Sequence, residues 1–226
     1  MTSFGARPDP GTPAPGGILP TATTATTAIV VAAGAGARGG CPAIDAIVVL
    51  APPGLEGEVQ DAIGAHADVT VVAGGASRAE SVREGVRAAG PRPARLLVHD
   101  AARPLVTPAL VEGVLAGLEG VDGTIAAAPA QDTLKREGGD GLVAGTVDRD
   151  GLWAAQTPQA FWAPALRAAV AAAEAEGRLA RATDCASMVE ARGGRIRLVA
   201  SREPNLKVTT PADAVLAAAV LAGRPQ

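Results

Sequence analysis

The chain has 226 residues, of which 48% are hydrophobic and 19% charged, with a formal net charge of −3. That length buries a core without disulfides or metals as staples, and the balance excludes a wholly disordered chain, whose mark is low hydrophobicity with high net charge. Negative charge, aromatics at 2% and no tyrosine also argue against a nucleic-acid binder, which recruits a basic face and rings for stacking.

Residues 1–26 are rich in Pro, Gly, Thr and Ala without an apolar period, and read as a disordered leader before one domain over 27–226. The leader lacks the charged-then-apolar pattern of a secretory signal. Residues 29–33 form a continuous apolar run, typical of a parallel strand buried on both faces. Similar runs recur at 46–50, 69–72, 96–98, 124–128 and 196–200. Helical patterns lie between them. Val82, Val86 and Ala89 share a face over 78–89, and Thr107-Pro108 supplies an N-cap and a first-turn proline. An alanine-rich helix over 164–176 stops at Gly177, and Thr210-Pro211-Ala212-Asp213 opens a last one reaching about Gly223. This alternation predicts an α/β fold: an open, mostly parallel Rossmann-like sheet with helices on both faces. One stretch departs from it. Residues 132–150 are polar around Gly138-Gly139-Asp140-Gly141 and read as a projecting β-hairpin arm, too small to be stable alone and expected to pack on a second subunit.

Several motifs could carry chemistry. The Gly/Ala loop over 32–40 follows the first strand. Its backbone N–H groups could wrap a phosphate beside Arg38, or it is plain turn chemistry; no clear helix follows it, as a dinucleotide site would require. His99-Asp100 ends a buried strand at the edge where open α/β sheets bind ligands. Asp100 next to Arg103 suits a Mg²⁺ ion bridging to phosphates, or a structural Asp100–Arg103 ion pair. Asp184 reads as an N-cap or as a second acidic ligand. Lys207, one of two lysines with Lys135, reads as an edge-strand cation or a phosphate contact. Arg78, Arg103, Arg149 and Lys207 are many cations for an acidic chain. There is no GxSxG elbow, and Cys41 and Cys185 are isolated, so neither a nucleophilic triad, a zinc site nor a disulfide framework is suggested. A reduced, cytoplasmic setting follows, and no apolar run approaches the ~18 residues of a membrane span. Phosphoryl and nucleotidyl transfer need positioning and cations rather than a protein nucleophile, which fits this inventory.

In order, AAGAGARGG, GGASRAESVREG, VHDAARP, DTLKR, TVDRDGLWAAQTPQAF, TDCASMVE and NLKVTTPADA resemble the 2-C-methyl-D-erythritol 4-phosphate cytidylyltransferases, over nearly all of the globular part. The resemblance implies transfer of the cytidylyl group of CTP to a sugar-alcohol phosphate in non-mevalonate isoprenoid synthesis, with Mg²⁺ as cofactor. Ala32, Ala33, Gly34 and Gly36 would then hold the triphosphate, with Gly75 and Ser81 against cytosine and ribose. Arg38, Arg149 and Lys207 are implied as catalytic, Asp100 as the metal ligand, and Arg103, Thr133, Thr157 and Thr183 as substrate-binding. Thr133 and Arg149 would reach from the arm into a partner's site, giving a homodimer with shared active sites and no nucleic-acid or membrane partner. Ribitol-5-phosphate cytidylyltransferases share the framework, and a catalytically dead nucleotide-binding homologue is the other alternative.

The sequence departs from the family pattern after Gly40. A Pro-Lys-Gln stretch and first helix are expected there, yet Gly39-Gly40-Cys41-Pro42-Ala43 runs almost directly into the second strand, with Ala43 at the lysine's place. No lysine precedes Lys135. Impaired or absent turnover and an uncovered sheet face near the nucleotide site are expected.

Overall fold

The computed structural model describes residues 25–31, 41 and 43–224. Residues 1–24 of the expected leader, and the loop residues Ala32, Ala33, Gly34, Gly36 and Arg38, lie outside the described residues. The strands are β1 (Thr26–Val31), β2 (Ala46–Ala51), β3 (Val69–Ala73), β4 (Arg95–Asp100), β5 (Gly123–Pro129), β6 (Lys135–Glu137), β7 (Val143–Thr146), β8 (Trp153–Trp162) and β9 (Ile196–Ala200). The helices are α1 (Glu56–Ile63), α2 (Arg78–Ala88), α3 (Pro108–Ala116), α4 (Ala163–Ala175), α5 (Cys185–Glu190) and α6 (Pro211–Ala222). The first strand thus opens at Thr26, inside the expected leader.

The apolar runs assemble into a seven-stranded sheet ordered β3-β2-β1-β4-β8-β5-β9. Only β8 is antiparallel to its neighbours, β4 and β5; the other pairings are parallel. Residues 32–45 join β1 to β2, long enough for a parallel return. Alternation along β4 places Leu96 and Val98 in a core with Ile29, Val82, Phe161 and Leu166, beneath α2 and α4. Leu97 faces the opposite way, onto Val111, Val114 and Leu118 around α3. Gly123 lets β5 pair beside Phe161 of β8, since a Cβ there would lie 2.4 Å from the Phe161 ring. Among the described residues, the α3 side of β1, β2 and β4 carries an apolar groove of about 440 Å³, lined by Ala28, Val30, Cys41, Ile44, Ile47 and Leu97 among others.

Two elements escape the sequence pattern. Helix α1 buries no residue, so it leaves no apolar period to read. Strand β8 sits mid-sheet yet contains Pro158, which by itself argues against a central strand. The structure resolves the conflict with a bulge. Pairing with β5 passes from Ile125↔Gln159 to Ala127↔Ala155, and pairing with β4 ends at Val98↔Gln159, so Gln156, Thr157 and Pro158 stand outside the ladder. The arm forms as expected, β6 pairing β7 in a separate two-stranded sheet that turns through Gly139 and Gly141, both at positive φ.

Candidate functional site

A cleft of about 400 Å³ opens at the carboxyl end of β4, lined by Arg78, Asp100, Arg103, Thr157, Thr183 and Lys207, with Gln156, Gln159 and Asp184 among its other walls. Asp100 is its centre. Arg78 Nε donates to Asp100 Oδ1 at 2.8 Å, and Lys207 Nζ donates to Oδ2 at 3.0 Å. Burial alone would push the Asp100 carboxyl up, but the two cations outweigh it and hold the group below its usual value. The ion pair foreseen as a structural alternative, Asp100 with Arg103, is not the one formed. Arg103 Nη1 instead donates to the Asn205 carbonyl at 2.7 Å, and its Nε is buried without a hydrogen-bond partner among the described residues. Lys207 lies on no strand. It sits in the extended segment between β9 and α6, which bonds to the Asp100 loop through Val208 N–H to Ala102 O at 2.7 Å.

The bulge of β8 explains how the Asp100 loop is held. With no β8 main-chain pair beyond Val98↔Gln159, the Asp100 N–H donates to Thr157 Oγ1 at 3.0 Å. Asn205, 5% exposed, ties in the third segment, its Nδ2 donating to Thr157 O and Gln156 Oε1, each at 2.9 Å. Gln159 anchors the far wall. It donates to Asp184 Oδ2 at 2.9 Å and accepts from Cys185 N–H at 3.2 Å. Asp184 takes the N-cap role, its Oδ1 accepting from Ser187 N–H at 2.8 Å in a capping box that opens α5 beside Thr183. Burial pushes the Cys185 thiol up to about 11, so it is a protonated packing group at neutral pH.

Other expected site residues lie apart from this cleft. Ser81, on α2, accepts from Gly75 N–H at 3.1 Å and donates to Ser77 O at 2.9 Å, which folds the turn before the helix. A Cβ on Gly75 would lie 2.3 Å from Glu80 Cβ, so only glycine fits there. Thr133 and Arg149 stand on the exposed arm and do not line their own chain's cleft; Arg149 donates to the Gln131 carbonyl. Sequence reasoning counted Arg78 among the cations but gave it no role, and missed Gln159 and Asn205 altogether. The one available signal was their place inside QTPQAF and NLKVTT.

Residues 27–223 match the family model for 2-C-methyl-D-erythritol 4-phosphate cytidylyltransferase. The chain belongs to this family. A curated relative from Symbiobacterium thermophilum, which carries that enzyme's name, is 43% identical over 185 residues, covering 80% of this chain and 75% of its own. One from Cronobacter sakazakii, of the same name, is 46% identical over 180 residues, covering 78% and 75%. The crystal structure of 2-C-methyl-D-erythritol 4-phosphate cytidylyltransferase from Thermus thermophilus superposes with a TM-score of 0.71 at 30% identity, over 86% of this chain and 98% of that one. These likenesses agree with the mostly parallel seven-stranded sheet. Among the described residues, no helix is long and apolar enough to cross a membrane.

Proposed function

We propose that the chain is a nucleotidyltransferase that joins CTP to 2-C-methyl-D-erythritol 4-phosphate, giving 4-diphosphocytidyl-2-C-methyl-D-erythritol and pyrophosphate for isoprenoid synthesis. The observation that carries the reading is one carboxylate, Asp100, converging with Arg78, Arg103 and Lys207 in a single cleft of a chain of that family. A phosphate oxygen of the sugar phosphate attacks the α-phosphorus of CTP as the bond to pyrophosphate breaks. The attacking oxygen is already ionised, so no protein base is needed and charge placement does the catalysis. Lys207 and Arg103 orient the sugar phosphate, Thr183 lines its path, and Arg38 with the 32–36 backbone meets the triphosphate.

The donor set fits a magnesium ion carried on the nucleotide. Such an ion asks the protein for one or two carboxylates and takes its other ligands from phosphate and water. Each Asp100 oxygen accepts one cation's hydrogen bond and keeps a lone pair free. Asp100 would hold the ion, which when bound neutralises triphosphate charge. Thr133 and Arg149 complete the site of a second copy in a homodimer. The exposed apolar side chains along the arm, Leu142 at 68% and Val143 at 64% among them, support that assembly. Two free cysteines and a nucleoside triphosphate substrate support a cytoplasmic setting.

The absent loop lysine slows the reaction. Loss of one oriented cation costs ~10²–10³ in rate by analogy with oxyanion-hole deletions. The test is pyrophosphate release by the purified chain with Mg²⁺, CTP and methylerythritol phosphate, with ribitol 5-phosphate alongside. Slow turnover on the first substrate alone is expected. Turnover at the rate of loop-lysine relatives would remove the slowing. Folded protein with no turnover, or a preference for ribitol 5-phosphate, would overturn the assignment.

A further inference from the structure

We infer that His99 is a positioning residue for this reaction, its ring tying the hydroxyl of Thr157 to the backbone of Arg103 and so fixing the loop that presents Asp100. The inference rests on the function proposed above. His99 alternates with Asp100 along β4 and therefore turns to the α3 face, where it lines the apolar groove and not the cleft. A ligand held by Asp100 is out of its reach. Both ring nitrogens are nonetheless engaged. Nδ1 lies 3.1 Å from Thr157 Oγ1, and Nε2 lies 3.1 Å from the Arg103 carbonyl.

Donor arithmetic gives this chain a direction. A carbonyl only accepts, so Nε2 carries the hydrogen. The Thr157 hydroxyl is buried and must place its own hydrogen, and Nδ1 is the acceptor within its reach among the described residues, so Nδ1 accepts. The Thr157 hydroxyl then donates to Nδ1, and its oxygen is left to accept the Asp100 N–H at 3.0 Å. The polarity runs from Asp100 through Thr157 and His99 to Arg103. The Arg103 N–H closes back on the Asp100 carbonyl at 2.9 Å, so the turn is clamped at both ends. Because the bulge removes β8's main-chain acceptor at this point, the Thr157 and His99 side chains take its place beside the turn's own main-chain bond. A phenyl ring would fill the same space and bond to neither end.

The chain holds two histidines, so a His66→Gln variant assigns the ring ¹⁵N spectrum. His99 is expected as the Nε2–H tautomer with Nδ1 unprotonated, and Thr157→Val should shift the Nδ1 resonance. An Nδ1–H tautomer, or a signal indifferent to Thr157→Val, would overturn the inference. Neither reading needs substrate, so wild-type protein without turnover would sink the proposed function and leave this point to the spectrum. In turnover, His99→Phe and Thr157→Val should each lower kcat about 10- to 100-fold while the KM for CTP moves less than about threefold. Thr157→Ser, which keeps the hydroxyl, should restore most of kcat, and the double variant should lose no more than the worse single one. Losses that multiply, or a serine variant as slow as valine, would overturn it. Should His99→Phe fail to fold, the spectrum and the Thr157 pair decide.

Discussion

The cleft and the arm are built on opposite principles. In the cleft, polar groups from β4, β8, α2, the start of α5 and the segment after β9 are tied to one another within a single chain, with Asp100, Thr157, Gln159 and Asn205 buried. The arm is a two-stranded ribbon with every residue of β6 exposed and its apolar side chains turned to solvent. A ribbon of that size does not hold itself together in water. The cleft's groups find partners within their own chain, whereas the arm turns its apolar side chains outward, and the two should respond to substitution in different ways.

The largest expected effect is in the cleft. Asp100→Asn keeps the side-chain volume but removes the charge that Arg78 and Lys207 share, and pyrophosphate release should fall at least ~10²-fold. Sedimentation should show the oligomeric state unchanged. The arm should give the reverse pattern. Leu142→Asp with Val143→Asp should convert the protein to monomers and lower kcat at least about tenfold, since a charge in an apolar interface costs several kcal/mol. Its thermal midpoint measured at low protein concentration should stay near that of wild type. A dimer that survives this pair of charges would break the comparison.

A smaller effect tests the turn that leads into α2. Gly75→Ala drives a methyl into Glu80 and should destabilise the fold by about 1–3 kcal/mol, read from urea unfolding. The smallest effect is a pH dependence at the start of α6. Asp213 accepts hydrogen bonds from Thr209 and Thr210 at the start of α6, and these hold its carboxyl down at about 2. A depressed folded value stabilises above the unfolded value near 4 and is lost as pH falls through about 2. The difference in thermal midpoint between wild type and Asp213→Asn should therefore be constant above pH ~4 and close as pH approaches ~2.

How far the sequence could be read follows from the kind of signal each feature leaves. The parallel strands were legible because burial on both faces demands continuous apolar runs, and β9 emerged with its observed bounds, Ile196–Ala200. Helices α3 and α6 were legible from their caps, Thr107 and Thr210. Strand β8 was hidden by its own bulge, since a proline in the run cancels the strand pattern. The site residues divide in the same way. Asp100, Arg103 and Lys207 announce themselves by charge and by place at an apolar edge. Gln159 and Asn205 are neutral amides whose work depends on partners 26 and 49 positions away, a pairing that no local pattern records. Asp184 had two readings on the sequence, and its hydrogen bonds to Ser187 and Gln159 decide for the cap.

The order of the strands also dictates when this molecule can become whole. Strand β8 lies between β4 and β5 but follows both in the chain, so as the chain leaves the ribosome β4 waits with one ladder edge open and β5, whose other neighbour β9 comes later still, with both. Only after Trp162 has emerged can β8 enter between them, and Lys207 arrives later still. A chain interrupted between Ala200 and Lys207 therefore carries every strand and an incomplete cleft. Until β8 emerges, the main sheet can hold no more than the four strands β3-β2-β1-β4, with β5 unattached.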